Sequence, residues 1–250
     1  GDRSPGLAGD RAETDHVARH LLLAGQPQDV LDKTLSFGSS QIVVDQVQQF
    51  GGSSAAAELG WGENAWGEAG GFEADLTVTR LEADSFLVVV GENSDGHTET
   101  WLRRHIRPEQ SVTITNITAG ITQINIQGPK ARDLLRTISA ADVSHEGFPY
   151  MSARRIDIGY FDVLAMRVTY VGELGWELHV PSTQAVQVYD LVMQNGRQFG
   201  IRNAGMQTLA SLRLEKAYRD FGVDIDNTDN PIEAGLGFAV RLDKPGGFIG

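Results

Sequence analysis

The sequence predicts an α+β fold of mostly antiparallel sheets with helices laid against one side. Three observations carry this expectation. From Asp75 to Ile138 the elements run strand, strand, helix, strand, strand, helix. The first strand pair is joined by a short turn through Glu82-Ala83-Asp84. The last hundred residues repeat the theme less regularly, with strand candidates followed by two helices.

Residues 1–13 are polar and rich in Gly, Pro, Asp and Arg. A short helix is expected over Thr14–Ala24, capped by Thr14 or Asp15. Gln41–Val44 is a short strand, and the Gly-, Ala- and Ser-rich stretch 51–71 is a loop or linker. Asp75–Leu81 and Ser85–Val90 then alternate or run apolar as strands do. Thr98–Ile106 carries Trp101, Leu102 and His105 at helical spacing. Ser111–Ile117 and Gln123–Ile126 are strands, and Gly128-Pro129 opens a helix over Lys130–Ile138. Further strands are expected at Arg155–Ile158 and Val163–Tyr170.

The stretch Thr169 to Leu178 reads as strand, tight turn, strand, with Gly172 and Gly175 bracketing the turn. Beyond the turn, alternation puts Glu177 and His179 on one face and Trp176 and Leu178 on the other. An acid beside an aromatic on a largely apolar strand suggests a carboxylate aimed into a pocket. After Pro181, Ser182 or Thr183 is expected to cap a helix through Val192, and Ala204–Tyr218 is a second helix.

The chain has 250 residues, 41% hydrophobic and 22% charged, an ordinary globular balance. Its length suits one large or two intertwined domains. A net charge of -12 argues against general nucleic-acid binding. The basic clusters Arg103-Arg104-His105-Ile106-Arg107 and Arg154-Arg155 read first as solvated faces. Apolar runs such as Phe86–Val90 are too short to span a bilayer. With no cysteine, thiolate catalysis, cysteine-ligated clusters and disulfides are excluded. That fits a reducing compartment, and a cytoplasmic location, or the mitochondrial matrix in a eukaryote, is expected.

No dinucleotide or Walker fingerprint is present, nor a nucleophile elbow or zinc-helix motif. His16 and His20 stand on one face of the first expected helix, without the glutamate or third ligand of a metal site. What remains are acids in glycine-rich or apolar settings. Asp75 follows Gly70-Gly71-Phe72-Glu73-Ala74, and Glu177 follows the second glycine of its turn. Either can be a plain strand residue or a ligand. Arg213-Leu214-Glu215 reads as helix surface, with Glu215 paired to Arg219. Pro231-Ile232-Glu233-Ala234-Gly235-Leu236-Gly237 favours close backbone approach.

Taken together, five ordered segments carry a resemblance. They are Gly70–Val78, Gln127-Gly128-Pro129, Tyr170–Glu177, Ser211–Lys216 and Pro231–Leu236. They resemble the folate-binding domain of the glycine-cleavage aminomethyltransferase family. Phe148-Pro149-Tyr150-Met151 and Trp101-Leu102-Arg103-Arg104-His105 point to the branch fused to flavin-dependent dimethylglycine and sarcosine dehydrogenases. The likeness is dense from about residue 70 to 250.

The resemblance implies an aminomethyltransferase-type folate-binding fold with its C-terminal β-domain missing, since the chain stops just after Gly246-Gly247-Phe248-Ile249. Residues 1–45 and 145–250 are expected to form a discontinuous folate-binding subdomain, and 46–144 a ferredoxin-like α+β subdomain. It implies transfer of a one-carbon unit from a methylated amine, or its iminium or formaldehyde product, to tetrahydrofolate. The alternative is a non-catalytic folate-binding or degenerate fragment in a regulatory or assembly role. Asp75 matches the acid beside the reactive nitrogens, and Glu177 the carboxylate on the pterin edge. Tyr170, Arg213 and Asn93 match pocket positions, and Phe221 an aromatic near the ring system. A flavin-dependent amine dehydrogenase domain or a lipoyl carrier protein is the implied partner, with FAD only where such a flavin domain exists. One departure stands out: Gly67 occupies the place where the family usually keeps an asparagine.

Overall fold

The computed structural model describes residues 39–45, 70–91, 94–106 and 108–240. The expected helix at Thr14–Ala24 with His16 and His20, nearly all of the 51–71 loop, and Asn93 lie outside these residues.

Two four-stranded antiparallel sheets form the frame. The first is built from β1 (Ser39–Asp45), β2 (Leu76–Glu82), β3 (Ser85–Gly91) and β4 (Thr113–Asn116), in the order β2-β3-β1-β4. Strand β3 is covered on both faces, which explains its unbroken apolar run from Phe86 to Val90. Phe86, Val88 and Val90 pack with Leu102 of helix α1 (Asp95–Arg104) and with Ile114 of β4. Leu87 and Val89 turn the other way, onto Met166 and Val168 of the second sheet's side. Helix α1 starts one turn earlier than the sequence pattern indicates. Asp95 in its first turn and Arg103 and Arg104 in its last complement the helix dipole, and Arg103 also reaches Glu99 at 2.7 Å.

The second sheet comprises β5 (Ile121–Gln127), β6 (Ala153–Ile158), β7 (Phe161–Met166) and β8 (Gly175–Pro181), in the order β5-β8-β7-β6. Helices α2 (Ala131–Ile138) and α3 (Ala185–Gly196) cover one face. There Leu134, Leu135, Val188 and Val192 meet Ile124, Ile126, Val163, Ala165, Trp176, Leu178 and Val180. Helix α4 (Met206–Glu215) follows, and the chain continues through turns to residue 240. The sheets part between Asn116 and Ile121, with β1 hydrogen-bonded into the first.

The two sheets meet through Leu87, Val89, Met166 and Val168. Thr79 Oγ1 donates to Met166 Sδ at 3.5 Å across this junction. The order of layers is therefore α1, first sheet, second sheet, then α2 and α3, consistent with the α+β expectation. No helix among the described residues is long and apolar enough to cross a membrane.

Three local expectations are corrected. The tight turn between Gly172 and Gly175 is a longer connection over residues 167–174. Strand β7 stops at Met166, which faces Glu177, and Gly175 already lies in β8. Of the two glycines only Gly172 needs left-handed backbone, at φ +68°. Neither Ser182 nor Thr183 caps α3: its N-cap is Gln184, and Ser182 Oγ instead donates to Ala119 O at 3.1 Å. Glu215 does not pair with Arg219, whose guanidinium donates to the carbonyls of Ala217 and Ala234.

Candidate functional site

Strand β8 divides two environments. Trp176, Leu178 and Val180 enter the helix-covered core, so Glu177 and His179 face the other way. Across from them on β5 stand Asn125, opposite Glu177, and Gln123, opposite His179. Glu177 Oε2 lies 3.8 Å from His179 Nε2, inside ion-pair range and beyond hydrogen-bond range. His179 is 3% exposed, and neither of its ring nitrogens has a hydrogen-bond partner among the described residues. Nearby on β5, Gln127 Nε2 reaches Val168 O at 3.4 Å while its Oε1 is buried without a hydrogen-bond partner among the described residues.

The segment before β2 is brought in by a close backbone approach. A side chain at Gly71 would strike the backbone carbonyl of Asn227, so only glycine fits there. Phe72 N then donates to Asp229 O at 3.1 Å, and the Phe72 ring packs with Ile225 and Leu236. This docking sets Asp75, at the entrance to β2, beside Asp220. Asp75 Oδ2 is buried without a hydrogen-bond partner among the described residues. Burial, and then the Asp220 carboxylate, hold Asp75 well above the usual carboxylate range.

Asp220 is delivered by the turn that ends α4. Ala217 takes φ +55°, and Tyr218 N donates back to Arg213 O at 3.0 Å. Arg213, read from the sequence as helix surface, is 5% exposed. Its Nη1 donates to Tyr218 O at 2.9 Å and to the Asp224 carboxylate, and its Nη2 stands 3.6 Å from Asp220 Oδ2. Asp220 is fully buried, and neither carboxylate oxygen has a hydrogen-bond partner among the described residues. Burial pushes its pKa up to about 6; Arg213 opposes that shift and Asp224 adds to it. Tyr170 donates its hydroxyl to Arg219 O at 3.2 Å. Burial first, then Asp220, raise the phenol, so it keeps its proton.

Of the residues singled out from the sequence, Asp75, Tyr170 and Arg213 thus fall in one electrostatic cluster. Tyr150 feels Glu177 electrostatically: burial first, then Tyr218, raise its phenol, Arg167 lowers it and Glu177 raises it further. Phe221 lies against the Phe72–Ile225–Leu236 cluster and bridges to Ile225. The sequence reading gave Asp220 and Asp224 no role, and used Tyr150 only within the branch motif Phe148-Pro149-Tyr150-Met151. Neither aspartate carries a local signal beyond Asp220 preceding Phe221, since their role comes from the α4 turn. The described residues contain no group of side chains suited to a metal ion.

With this geometry in place, comparison with known proteins defines the class. The GCVT N-terminal domain family matches residues 65–244. The chain is 41% identical over 180 residues to 4-methylaminobutanoate oxidase (formaldehyde-forming) of Paenarthrobacter nicotinovorans, covering 72% of this chain and 22% of that protein. It is 36% identical over 178 residues to the mitochondrial dimethylglycine dehydrogenase of Homo sapiens, covering 71% and 21%. It is also 34% identical over 184 residues to the mitochondrial pyruvate dehydrogenase phosphatase regulatory subunit of Mus musculus, covering 73% and 21%. Among solved structures, the glycine cleavage system aminomethyltransferase T from Bartonella henselae superposes with a TM-score of 0.67 at 22% identity, over 82% of this chain and 56% of that one. The chain belongs to the GCVT family and is an aminomethyltransferase-type domain. It spans about a fifth of the length of these three relatives.

Proposed function

We propose that this domain binds tetrahydrofolate and passes to it a one-carbon unit from a methylated amine, or from the iminium or formaldehyde that such an amine yields. One observation carries the reading. Buried polar atoms with no hydrogen-bond partner among the described residues, Gln127 Oε1 and the His179 ring nitrogens, share with Glu177 the side of the second sheet away from the helices. Buried polar atoms are normally satisfied, so such a set fits a flat, donor-rich ligand. A bound folate supplies the amine nitrogens that take up the one-carbon unit.

The residues divide the work. Glu177 accepts N–H donors of the pterin edge in a two-pronged contact. Asp75, raised by burial and by Asp220, holds or takes up a proton beside the reacting nitrogens. Tyr170 and Arg213 form the wall behind it, with Arg213 fixed by Asp220 and Asp224. Asn93 and Phe221 complete the proposed binding residues. The amine donor comes from a flavin-dependent dehydrogenase domain or a lipoyl carrier protein, and FAD belongs to the former.

The test is capture of formaldehyde onto tetrahydrofolate by this chain. Catalysed capture that Asp75→Asn lowers at least 100-fold, with tetrahydrofolate still bound, supports an enzyme. Binding with no catalysed capture supports the second reading, a folate-binding regulatory module. The likeness to a phosphatase regulatory subunit favours that alternative.

A further inference from the structure

The imidazole of His179 is an unusual thing to bury. It is 3% exposed, and both nitrogens lack a hydrogen-bond partner among the described residues. An unmade buried hydrogen bond is destabilising, while Phe or Leu would fill the same place without that penalty. The ring does not join the helix-side core, which takes its neighbours Leu178 and Val180. It sits instead on the polar face, flanked by Leu164 of β7 and Gln123 of β5. The charged group its own strand places beside it is Glu177, with Oε2 3.8 Å from Nε2.

We propose that His179 is a positioning residue for the Glu177 carboxylate. This rests on the folate reading above and deepens it. A shift of less than about 1 Å brings Nε2–H to hydrogen-bonding distance of Oε2. A carboxylate accepts at roughly four lone-pair sites, so one contact from His179 leaves the outward pair free for two ligand donors. His179 thereby fixes the rotation of the Glu177 carboxylate that a planar, two-donor ligand edge requires. In this tautomer Nε2 carries the proton. The ligand class so selected is a planar ring presenting adjacent N–H donors.

Two substitutions separate positioning from packing. His179→Phe keeps the ring volume and removes both nitrogens; His179→Gln keeps a donor. Calorimetric titration with tetrahydrofolate is expected to show about tenfold weaker binding for His179→Phe and binding within about threefold of wild type for His179→Gln. The melting temperature of His179→Phe is expected to match or exceed wild type, because apolar replacement removes orphaned nitrogens. Nitrogen-15 NMR is expected to show a protonated Nε2 whose shift moves in Glu177→Ala. Equal affinity in His179→Phe, parallel loss of affinity and melting temperature, or an Nε2 signal indifferent to Glu177 each overturns the inference. Wild-type protein that gives no heat with tetrahydrofolate overturns the folate reading, and this inference with it. Binding by wild type that His179→Phe leaves intact overturns the inference alone.

Discussion

The two faces of strand β8 differ more than any two regions far apart in the chain. Toward the helices, Trp176, Leu178 and Val180 are wholly buried among aliphatic neighbours from α2, α3 and three strands. That side leaves one orphan on β8, Trp176 Nε1, with the guanidinium groups of Arg132 and Arg167 over its ring at 5.8 and 5.7 Å. On the other side, Glu177 and His179 stand across from Asn125 and Gln123 of β5, and the His179 ring nitrogens and Gln127 Oε1 are buried with no hydrogen-bond partner among the described residues. One face maximises packing; the other keeps buried polar atoms that find no hydrogen-bond partner among the described residues. The contrast teaches that a two-residue alternation separates what holds the domain together from what it works with.

Breaking the packed face has the largest expected effect. Trp176→Ala removes a fully buried indole and is expected to cost about 3–5 kcal/mol in urea denaturation. Breaking the charge cluster comes next. Arg213→Ala strips the counterion from buried Asp220 and is expected to cost about 3 kcal/mol in the same assay. A loss below about 1 kcal/mol would show the cluster to be open to solvent.

The pH dependence sharpens the same comparison. Asp220 ionises near pH 6 in the folded chain, and an unfolded aspartate near 3.9. Folded protein therefore holds a proton that the unfolded chain has lost between about pH 4 and 6. This group's contribution to stability improves as pH falls through that window and is lost as pH rises through it. Asp75 acts in the same direction. Asp220→Asn is expected to raise stability at pH 7 by roughly 1–3 kcal/mol and to flatten the pH profile. An unchanged profile would contradict the burial of this carboxylate. Smaller still, Gly172→Ala forces an alanine to φ +68° against the Lys216 side chain, at about 1–2 kcal/mol.

Much of the frame was legible in the sequence because local pattern decides it. The apolar run Phe86–Val90 and the alternation from Trp176 to Val180 mark strands β3 and β8 in any context. The connection after Met166 was not legible. Two glycines suggested a tight turn, but pairing of Met166 with Glu177 pulls Gly175 into the strand. The cap of α3 was missed because Ser182 answers a carbonyl more than sixty residues away, at Ala119. In the site, Asp75 and Glu177 stood out as acids in apolar settings. Asp220 did not, since only the fold of the α4 turn and the docking of Gly71 on Asn227 bring it to Asp75.

The most direct test is calorimetric titration of tetrahydrofolate into wild-type protein and Glu177→Ala, with urea denaturation of both. Saturable binding by wild type is expected, lost or weakened at least tenfold in Glu177→Ala, with stability changed by less than about 0.5 kcal/mol. No binding by wild type, or equal binding by the two proteins, would contradict the assignment of the polar face as the folate site.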